Sequence, residues 1–135
     1  MSGNVTMEGA RSRFTAETVT WLITVRGDGQ PQASPVWVIW DDRGLLLYSQ
    51  PATQKLKNIA ANPKVCLHLD GGVEDGTTWI LEGDAHISDG DAAGLHPDFR
   101  DKYAGSMERM GWTPEAFLAD YSVPVRVAPL RLRSW

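Results

Sequence analysis

The sequence predicts a mainly β protein: a small antiparallel barrel of six or seven strands with short helices at its periphery. Two observations favour this class. Short segments rich in β-branched and aromatic residues, or with alternating apolar positions, recur along the chain. Turn-forming sequences such as Gly27-Asp28-Gly29 separate the first few of these segments from one another. We expect the 135 residues to form one domain, residues 1–135, in which residues 1–13 are a flexible N-terminus.

The first three strands follow from apolar segments and the turns between them. Thr20–Arg26 is β-branched and aromatic, and it stops at the glycine-rich turn. Gln32–Trp40 returns from that turn, and Leu45–Ser49 follows the polar sequence of residues 41–44. Three successive strands joined by short turns predict an antiparallel meander.

A short helix comes next, because the apolar residues change from alternating to helical spacing. Leu56 and Ile59 are three residues apart, and the Asn62-Pro63 pair ends the segment. We therefore predict a helix over Thr53–Ala61, with Thr53 as its N-terminal cap.

The rest of the chain predicts two more strands, a helical region and a closing strand. Val65–Asp70 and Thr78–Ile87 alternate in polarity, as strands with one core face do, and the glycine-rich residues 71–76 form the loop between them. Asp89–Asp120 has helical character, with Thr113-Pro114-Glu115 as a helix start inside it. Val123–Ala128 is the last predicted strand.

Composition excludes several classes of protein. Acidic residues outnumber basic ones by 17 to 13, which argues against a nucleic-acid-binding role. The single cysteine, Cys66, excludes an intrachain disulfide framework and a cysteine-based metal site, and we predict no metal. No apolar run approaches the roughly 20 residues that cross a bilayer, so we expect no membrane insertion and a cytoplasmic location.

Two lysines at the start of the predicted helix suggest a binding site for an anion. Lys55 and Lys57 lie in the first turn, where the helix dipole already places partial positive charge. A phosphate would be favoured there by the free backbone amides and the ammonium groups. The alternative is that both lysines are ordinary solvated surface residues.

The six tryptophans are the other unusual feature. Trp37 and Trp40 lie three residues apart in one predicted strand, so they point to opposite faces. One can fill the core while the other contacts a planar ligand or a second subunit. The same alternatives apply to Trp79, Trp112 and Trp135.

Two motifs give the sequence a family resemblance. They are G-x-P-x-x-S-P-V-W at Gly29–Trp37 and K-x-K-N-I-x-x-N-P-x-V at Lys55–Val65. With the order of elements from Trp21 to Asp84, they resemble the pyridoxamine-5′-phosphate-oxidase-like split β-barrel proteins, and within them the actinobacterial oxidoreductases that use the deazaflavin coenzyme F420. The chain ends without the Arg-Leu-x-Pro stretch of authentic pyridoxamine phosphate oxidases, so oxidation of vitamin B6 is not expected.

The resemblance implies a split barrel of the FMN-binding type that forms a homodimer, with the cofactor pocket at the subunit interface. It implies a reductase that transfers a hydride from reduced F420 to a small conjugated substrate such as an enone or quinone. The alternatives are an FMN-dependent oxidase or reductase, and a non-catalytic flavin- or deazaflavin-binding protein. No catalytic residue is predicted.

The same resemblance implies which residues bind the cofactor. The cofactor ring would lie beside the second predicted strand. The phosphate end of the cofactor would contact the end of the third strand and the first turns of the predicted helix. Trp79, Trp112 or Arg126 would reach a cofactor held mainly by the partner subunit. The predicted cofactor-binding residues are Ser34, Pro35, Val36 and Trp37 for the ring, Tyr48, Ser49, Lys55, Lys57 and Asn58 for the phosphate end, and Trp79.

Overall fold

A computed structural model describes residues 6–70 and 78–133. Seven strands and four α-helices make up the described chain, and a single 3₁₀ turn at Asp89–Asp91 precedes the third helix. In chain order the elements are α1 (Met7–Ala16), β1 (Thr20–Val25), β2 (Pro31–Val36), β3 (Val38–Asp41), β4 (Gly44–Ser49), α2 (Gln54–Ala61), β5 (Lys64–His68), β6 (Ile80–Ile87), α3 (Pro97–Arg109), α4 (Pro114–Asp120) and β7 (Val123–Arg133).

All seven strands form one curled antiparallel sheet in the order β2-β1-β5-β6-β7-β4-β3. The predicted fold class, a mainly β split barrel, is confirmed. β2 and β3 lie at opposite edges of the sheet, although only Trp37 separates them in sequence. The backbone therefore leaves one edge at Trp37 and joins the other edge one residue later, which closes the barrel through a single bent segment.

The predicted meander is wrong at this bend. The sequence predicts Gln32–Trp40 as one strand with neighbours on both sides. Instead its first half pairs with β1 and its second half pairs with β4. Barrel closure is a long-range requirement, and it overrides the local preference of this apolar segment for one straight strand.

The core lies in two layers that share β4. Leu45 and Leu47 point into the barrel, whereas Leu46 and Tyr48 point outward and are covered by α3 and α4. All six residues of β4 are buried, because the helices cover its outer face as completely as the barrel covers its inner face. The floor of the site described below belongs to this doubly covered strand.

The expectation of a flexible N-terminus over residues 1–13 is wrong for residues 7–13, because they belong to α1. The hydroxyl of Thr6 accepts a hydrogen bond from the amide of Gly9 at 2.9 Å and caps the helix. Ala10 and Phe14 lie four residues apart on one face and are completely buried. Phe14 meets Trp40 edge to face, with ring centroids 5.9 Å apart.

The helical region and the last strand also differ from their predicted bounds. The region 89–120 divides into α3 and α4 at Gly111, whose φ of +75° suits glycine. β7 continues beyond Ala128 to Arg133 and pairs with β6 across an irregularity at Glu82/Gly83. The predicted loop at 71–76 and Trp135 lie outside the described residues. In the part of the chain that is described, no helix is long and apolar enough to span a bilayer.

Candidate functional site

Two adjoining cavities lie along β2 and share Lys55; together they are called the β2 groove. The polar end has a volume of about 230 Å³ and the aromatic end about 190 Å³. The polar end is lined by Thr24, Gln32, Ala33, Ser34, Thr53, Gln54 and Lys55. The aromatic end is lined by Pro35, Val36, Trp37, Tyr48, Lys55, Met110, Trp112, Phe117 and Tyr121.

Lys55 supplies the charge of the groove. Its side chain is half-buried, and burial lowers its pKa from the ordinary value. It makes no hydrogen bond or ion pair with residues 6–70 or 78–133, and the described lining contains neither Asp nor Glu. A half-buried ammonium group without a counter-charge favours an anionic ligand, which would replace part of the lost hydration.

The start of α2 contributes backbone donors to the polar end. Thr53 occupies the N-cap position, as predicted, but its hydroxyl makes no capping bond and lies 3.1 Å from the hydroxyl of Ser49. The first-turn amides of α2 therefore have no side-chain acceptor. Ala52, with a φ of 60°, precedes the cap in the left-handed region, where a residue with a Cβ is strained by about 1–2 kcal/mol.

Stacked rings fix the shape of the aromatic end. Trp37 is nearly parallel to Tyr103, with ring centroids 4.6 Å apart and an interplanar angle of 4°. The hydroxyl of Tyr103 accepts a hydrogen bond from the amide of Val38 at 2.9 Å and lies 2.8 Å from the carbonyl of Thr18, to which it donates. The rigid Tyr103 ring thus holds the plane of Trp37 at the bend between β2 and β3.

Tyr48 joins the floor of the groove to a charged cluster behind it. Its hydroxyl accepts a hydrogen bond from the amide of His96 at 2.9 Å, and Nε2 of His96 lies 3.1 Å from Asp41. Burial is the main cause that raises the pKa of Tyr48, so the phenol stays protonated at neutral pH. It can donate a hydrogen bond but cannot act as a base.

Arg126 does not reach a ligand, which corrects the role expected for it. It is 2% exposed, and its guanidinium forms bidentate pairs with Asp41 and Asp91 at 2.6–3.1 Å. It also donates to the carbonyl of Gly44 at 3.3 Å. These partners use all the donor directions of the group, so its part is to hold β7 against the turn that precedes β4.

The β2 groove brings together six of the ten residues predicted to bind the cofactor: Ser34, Pro35, Val36, Trp37, Tyr48 and Lys55. The two motifs of the sequence therefore meet at Lys55.

The other four predicted residues do not line the groove. Ser49 is buried and donates to the carbonyl of Gln50, and Lys57 is exposed on α2. Trp79 is buried in the barrel interior. Asn58 is 2% exposed, and its amide nitrogen donates to Thr24 and Gln32 at 2.9 Å, which ties α2 to the sheet.

Sequence reasoning missed much of the lining. The polar residues Thr24, Gln32 and Gln54 carry no signal beyond their polarity. Trp112 is predicted as a ligand or interface residue, but Phe117 and Tyr121 are not. A spacing of four residues does place Phe117 and Tyr121 on one side of a helix end, and that signal could have indicated an aromatic surface.

Comparison with known proteins agrees with this fold. A model of the family described as Pyridoxamine 5′-phosphate oxidase matches residues 7–131. The structure is similar to an F420 reductase with 25% sequence identity and a TM-score of 0.68, over 95% of this chain and 98% of that chain. A conserved hypothetical protein from Mycobacterium tuberculosis is 23% identical, with a TM-score of 0.71 over 97% and 84% of the two chains. A FAD-binding protein from Mesorhizobium loti is 22% identical, with a TM-score of 0.67 over 96% and 94%. None of the curated proteins matches this sequence.

Proposed function

Because the chain belongs to the pyridoxamine 5′-phosphate oxidase family of split-barrel proteins, we propose that it is an F420-dependent reductase. Its substrate would be a small conjugated molecule such as an enone or quinone. The similarity to an F420 reductase across nearly the whole of both chains supports the choice of cofactor. The observation that carries the proposal is Lys55, a half-buried cation without a counter-charge at the junction of a polar and an aromatic cavity.

The residues of the groove fit a cofactor that has a phosphate at one end and a planar ring at the other. Lys55 and the uncapped amides of α2 supply donors for a phosphate, and no carboxylate in the described lining opposes it. Beyond Lys55 the lining becomes apolar and flat at Pro35, Val36 and Trp37. Such a change from charge to flat apolar surface suits a ring joined to a phosphate.

The protein's part in the reaction is to bind, orient and exclude water. Reduced F420 supplies a hydride when it is bound, and the chemistry belongs to the cofactor. Pro35 and Val36 provide the surface beside the ring, and the Trp37 stack fixes the angle of that surface. The phenol of Tyr48 is held at the floor of the groove by the hydrogen bond that its hydroxyl accepts from the amide of His96.

An FMN-dependent oxidase or reductase is the second candidate. The groove favours a phosphate and a planar ring, which FMN and F420 have in common. The similarity in fold to a FAD-binding protein is consistent with a flavin in a scaffold of this kind. A non-catalytic flavin- or deazaflavin-binding protein would use the same contacts but would show no turnover.

We also propose that the protein is a cytoplasmic homodimer. An open cavity of about 330 Å³ lies on the sheet between β1, β5, β6 and β7. Its lining is mainly apolar, with Ile23, Val25 and Leu130, and also includes the charged residues Lys64, Glu82 and Asp84. Leu130 is 61% exposed in the single chain. A second copy of the chain that covered this face would bury these apolar side chains. The test is the native mass of the protein in solution, and a mass equal to one chain would contradict the dimer. The single cysteine, without a disulfide, fits a reducing compartment.

Cofactor titration tests the proposal. F420 and FMN would be titrated separately against the wild-type protein and the Lys55→Ala and Lys57→Ala variants, and binding followed by calorimetry. We expect F420 to bind more tightly than FMN. Lys55→Ala should weaken F420 binding about 10- to 100-fold, because a hydrogen bond to a charged group contributes about 1.5–3 kcal/mol.

Lys57→Ala is the matched control, since it removes the same charge from the same helix on its exposed side. We expect it to weaken binding less than about threefold, as a screened surface charge would. Tighter binding of FMN would favour the second candidate. Equal effects of the two substitutions would contradict the placement of the phosphate beside Lys55.

A further inference from the structure

His96 lies where the chain enters α3, and three elements of the fold meet at this half-buried residue. Its backbone amide donates to the hydroxyl of Tyr48 on β4 at 2.9 Å. Its ring Nδ1 accepts a hydrogen bond from the amide of Asp98 at 3.0 Å, which makes His96 the N-cap of α3. Its ring Nε2 lies 3.1 Å from a carboxylate oxygen of Asp41, the last residue of β3.

The two ring contacts determine where the imidazole carries its proton. A backbone amide can only donate, so Nδ1 offers its lone pair to Asp98 and has no hydrogen. The proton of the neutral ring is therefore on Nε2, which donates it to Asp41. A protonated ring has a second hydrogen on Nδ1, directed at the amide of Asp98, so it cannot keep the cap.

Charged groups of both signs surround the ring. They and the other titratable groups that face it are Asp41 on β3, Arg43 in the turn after it, Tyr48 on β4, Asp91 in the 3₁₀ turn, Asp98 on α3 and Arg126 on β7. Asp41 already accepts hydrogen bonds from Arg126 at 2.6 and 3.0 Å, and Asp91 pairs with both arginines. Because these two arginines balance the two carboxylates, Asp41 attracts a protonated imidazole less than an unpaired carboxylate would.

The cap affects the β2 groove because the first turn of α3 packs against the floor of the groove. Phe99, the third residue of α3, is completely buried and meets Tyr48 edge to face, with ring centroids 4.9 Å apart. Tyr48 in turn lines the aromatic end of the groove. The start of α3 therefore reaches the groove by two routes, the hydrogen bond from the amide of His96 and the ring of Phe99.

A separate open cavity gives the ring of His96 room to turn away from Asp98. This cavity has a volume of about 330 Å³ and lies behind Tyr48, with His96, Asp91 and Gly94 in its lining. Water in such an open space can hydrate an imidazolium that has left the cap.

We propose that His96 is a pH-sensitive latch that couples the start of α3 to the floor of the β2 groove. With a neutral ring, the cap and the His96 amide hold Phe99 and Tyr48 in place. Protonation of Nδ1 opens the cap, loosens the first turn of α3 and weakens the hold on Tyr48. Histidine is the side chain whose charge ordinarily changes between about pH 5 and pH 8, so the latch would open in mild acid. It goes beyond the proposed function, because it belongs to the ligand-free protein.

NMR of the ligand-free protein tests the latch. At about pH 8 we expect the ring of His96 to carry its proton on Nε2 and none on Nδ1. Amide hydrogen exchange, expressed relative to an unstructured chain at the same pH, then follows the two hydrogen bonds. Between about pH 8 and pH 5, protection of the Asp98 amide should fall about 2- to 30-fold, as loss of an N-cap predicts. Protection of the His96 amide, which donates to Tyr48, should fall over the same pH range.

Two variants that do not titrate separate the parts of the latch. His96→Asn places an amide oxygen near the position of Nδ1, and asparagine is a favoured N-cap, so Asp98 should stay protected at both pH values. His96→Gln places an amide nitrogen near the position of Nε2 and lacks the capping acceptor, so Asp98 should be poorly protected at both. His86→Asn is the matched control, because it removes an exposed histidine and should keep the wild-type pH dependence.

Three results would overturn the latch. The first is a proton on Nδ1 of His96 at neutral pH. The second is a pH dependence in His96→Asn as large as that of the wild type. The third is a response confined to the Asp98 amide, which would leave Tyr48 uncoupled from the cap. The ring measurement and the wild-type exchange need neither a variant nor a ligand, so they decide the matter even if a substitution prevents folding or F420 does not bind.

Discussion

Replacement of Arg126 by methionine should cause a large, pH-dependent loss of stability. The guanidinium is 2% exposed and holds two carboxylates, Asp41 and Asp91, through four charge-assisted hydrogen bonds. Both carboxylates are themselves largely buried, with side chains 17% and 9% exposed. Methionine fills similar space but leaves two poorly hydrated negative charges close together.

The expected magnitude follows from this burial. Removing one partner of a buried ion pair typically costs about 3–5 kcal/mol. For a chain of this length that corresponds to a fall in Tm of roughly 10–20 °C. Arg43→Met is the matched control, because Arg43 pairs with the same Asp91 at 3.1 Å while its side chain is 62% exposed. An exposed pair contributes about 1 kcal/mol or less.

The pH dependence has a definite sign. Hydrogen bonds from Arg126 are the main cause that lowers the pKa of Asp91. Burial alone would raise the pKa of Asp41, but hydrogen bonds from Arg126 and from the amide of Arg43 outweigh it and lower this pKa too. Their stabilising contribution is therefore complete above the unfolded pKa of about 4 and is lost as the pH falls below it.

Without the guanidinium both carboxyl groups should titrate at higher pH. The folded variant therefore takes up protons at pH values at which the folded wild type does not. The difference in free energy of unfolding between the two proteins should shrink as the pH falls from 7 to 4. Urea unfolding followed by tryptophan fluorescence, at several pH values, measures this difference. A loss at pH 7 no larger than that of Arg43→Met, or a difference that grows toward acid, would refute the reasoning.

Three further predictions concern stability. Asn58→Ala should lower the free energy of unfolding by about 1–3 kcal/mol, because it leaves the buried hydroxyl of Thr24 without its donor, and urea unfolding measures the loss. Gly83→Ala should destabilise more than Gly90→Ala in thermal unfolding, because a Cβ at Gly83 would lie 2.5 Å from a backbone carbonyl whereas none lies within 4 Å at Gly90. Burial lowers the pKa of Lys102 to about 8, so its charged form is penalised in the folded state, and stability should rise from pH 8 to 10. Lys102→Gln should show less of this rise in urea unfolding, and equal slopes would contradict the prediction.

Much of the sheet could be predicted because each strand has a local signature. Buried positions alternate with half-buried ones in β1 and with exposed or half-buried ones in β5, so their periodicity of two is visible in the sequence. The bend at Trp37 has no such signature, since its neighbours Val36 and Val38 both favour extended backbone. Its position depends on where β1 and β4 lie in the closed barrel, which no local window contains.

The N-terminal helix was missed for a related reason. Only Ala10 and Phe14 of α1 are buried, so its apolar face is too narrow to produce a clear helical pattern. The helix is held mainly by packing of Phe14 against Trp40 and by the Thr6 cap. Tertiary contact supplies most of the stability of so short a helix, and a sequence window does not show that contact.

The candidate site was predictable on one side only. Its β2 wall and Lys55 lie within two recognisable motifs, whereas Trp112, Phe117 and Tyr121 reach Trp37 only through the packing of α3 and α4 against β4. Aromatic residues in a helical region are usually read as core, and Phe117 is indeed buried. The face that these rings turn toward the groove becomes apparent only in three dimensions.

The K-x-K-N motif shows what elementary helix geometry adds to a resemblance. Successive residues turn by about 100° around an α-helix, so residues two apart differ by about 200° and cannot face the same pocket. Lys55 lines the groove, Lys57 is accordingly exposed, and Asn58, about 60° from Lys55, is buried against the sheet. One segment of four residues thus divides into a residue that lines the groove, a solvated charge and a structural tie. Of the two lysines in this motif only Lys55 lines the groove, so a role for Lys57 toward a phosphate bound there would have to act at longer range and would weaken with added salt.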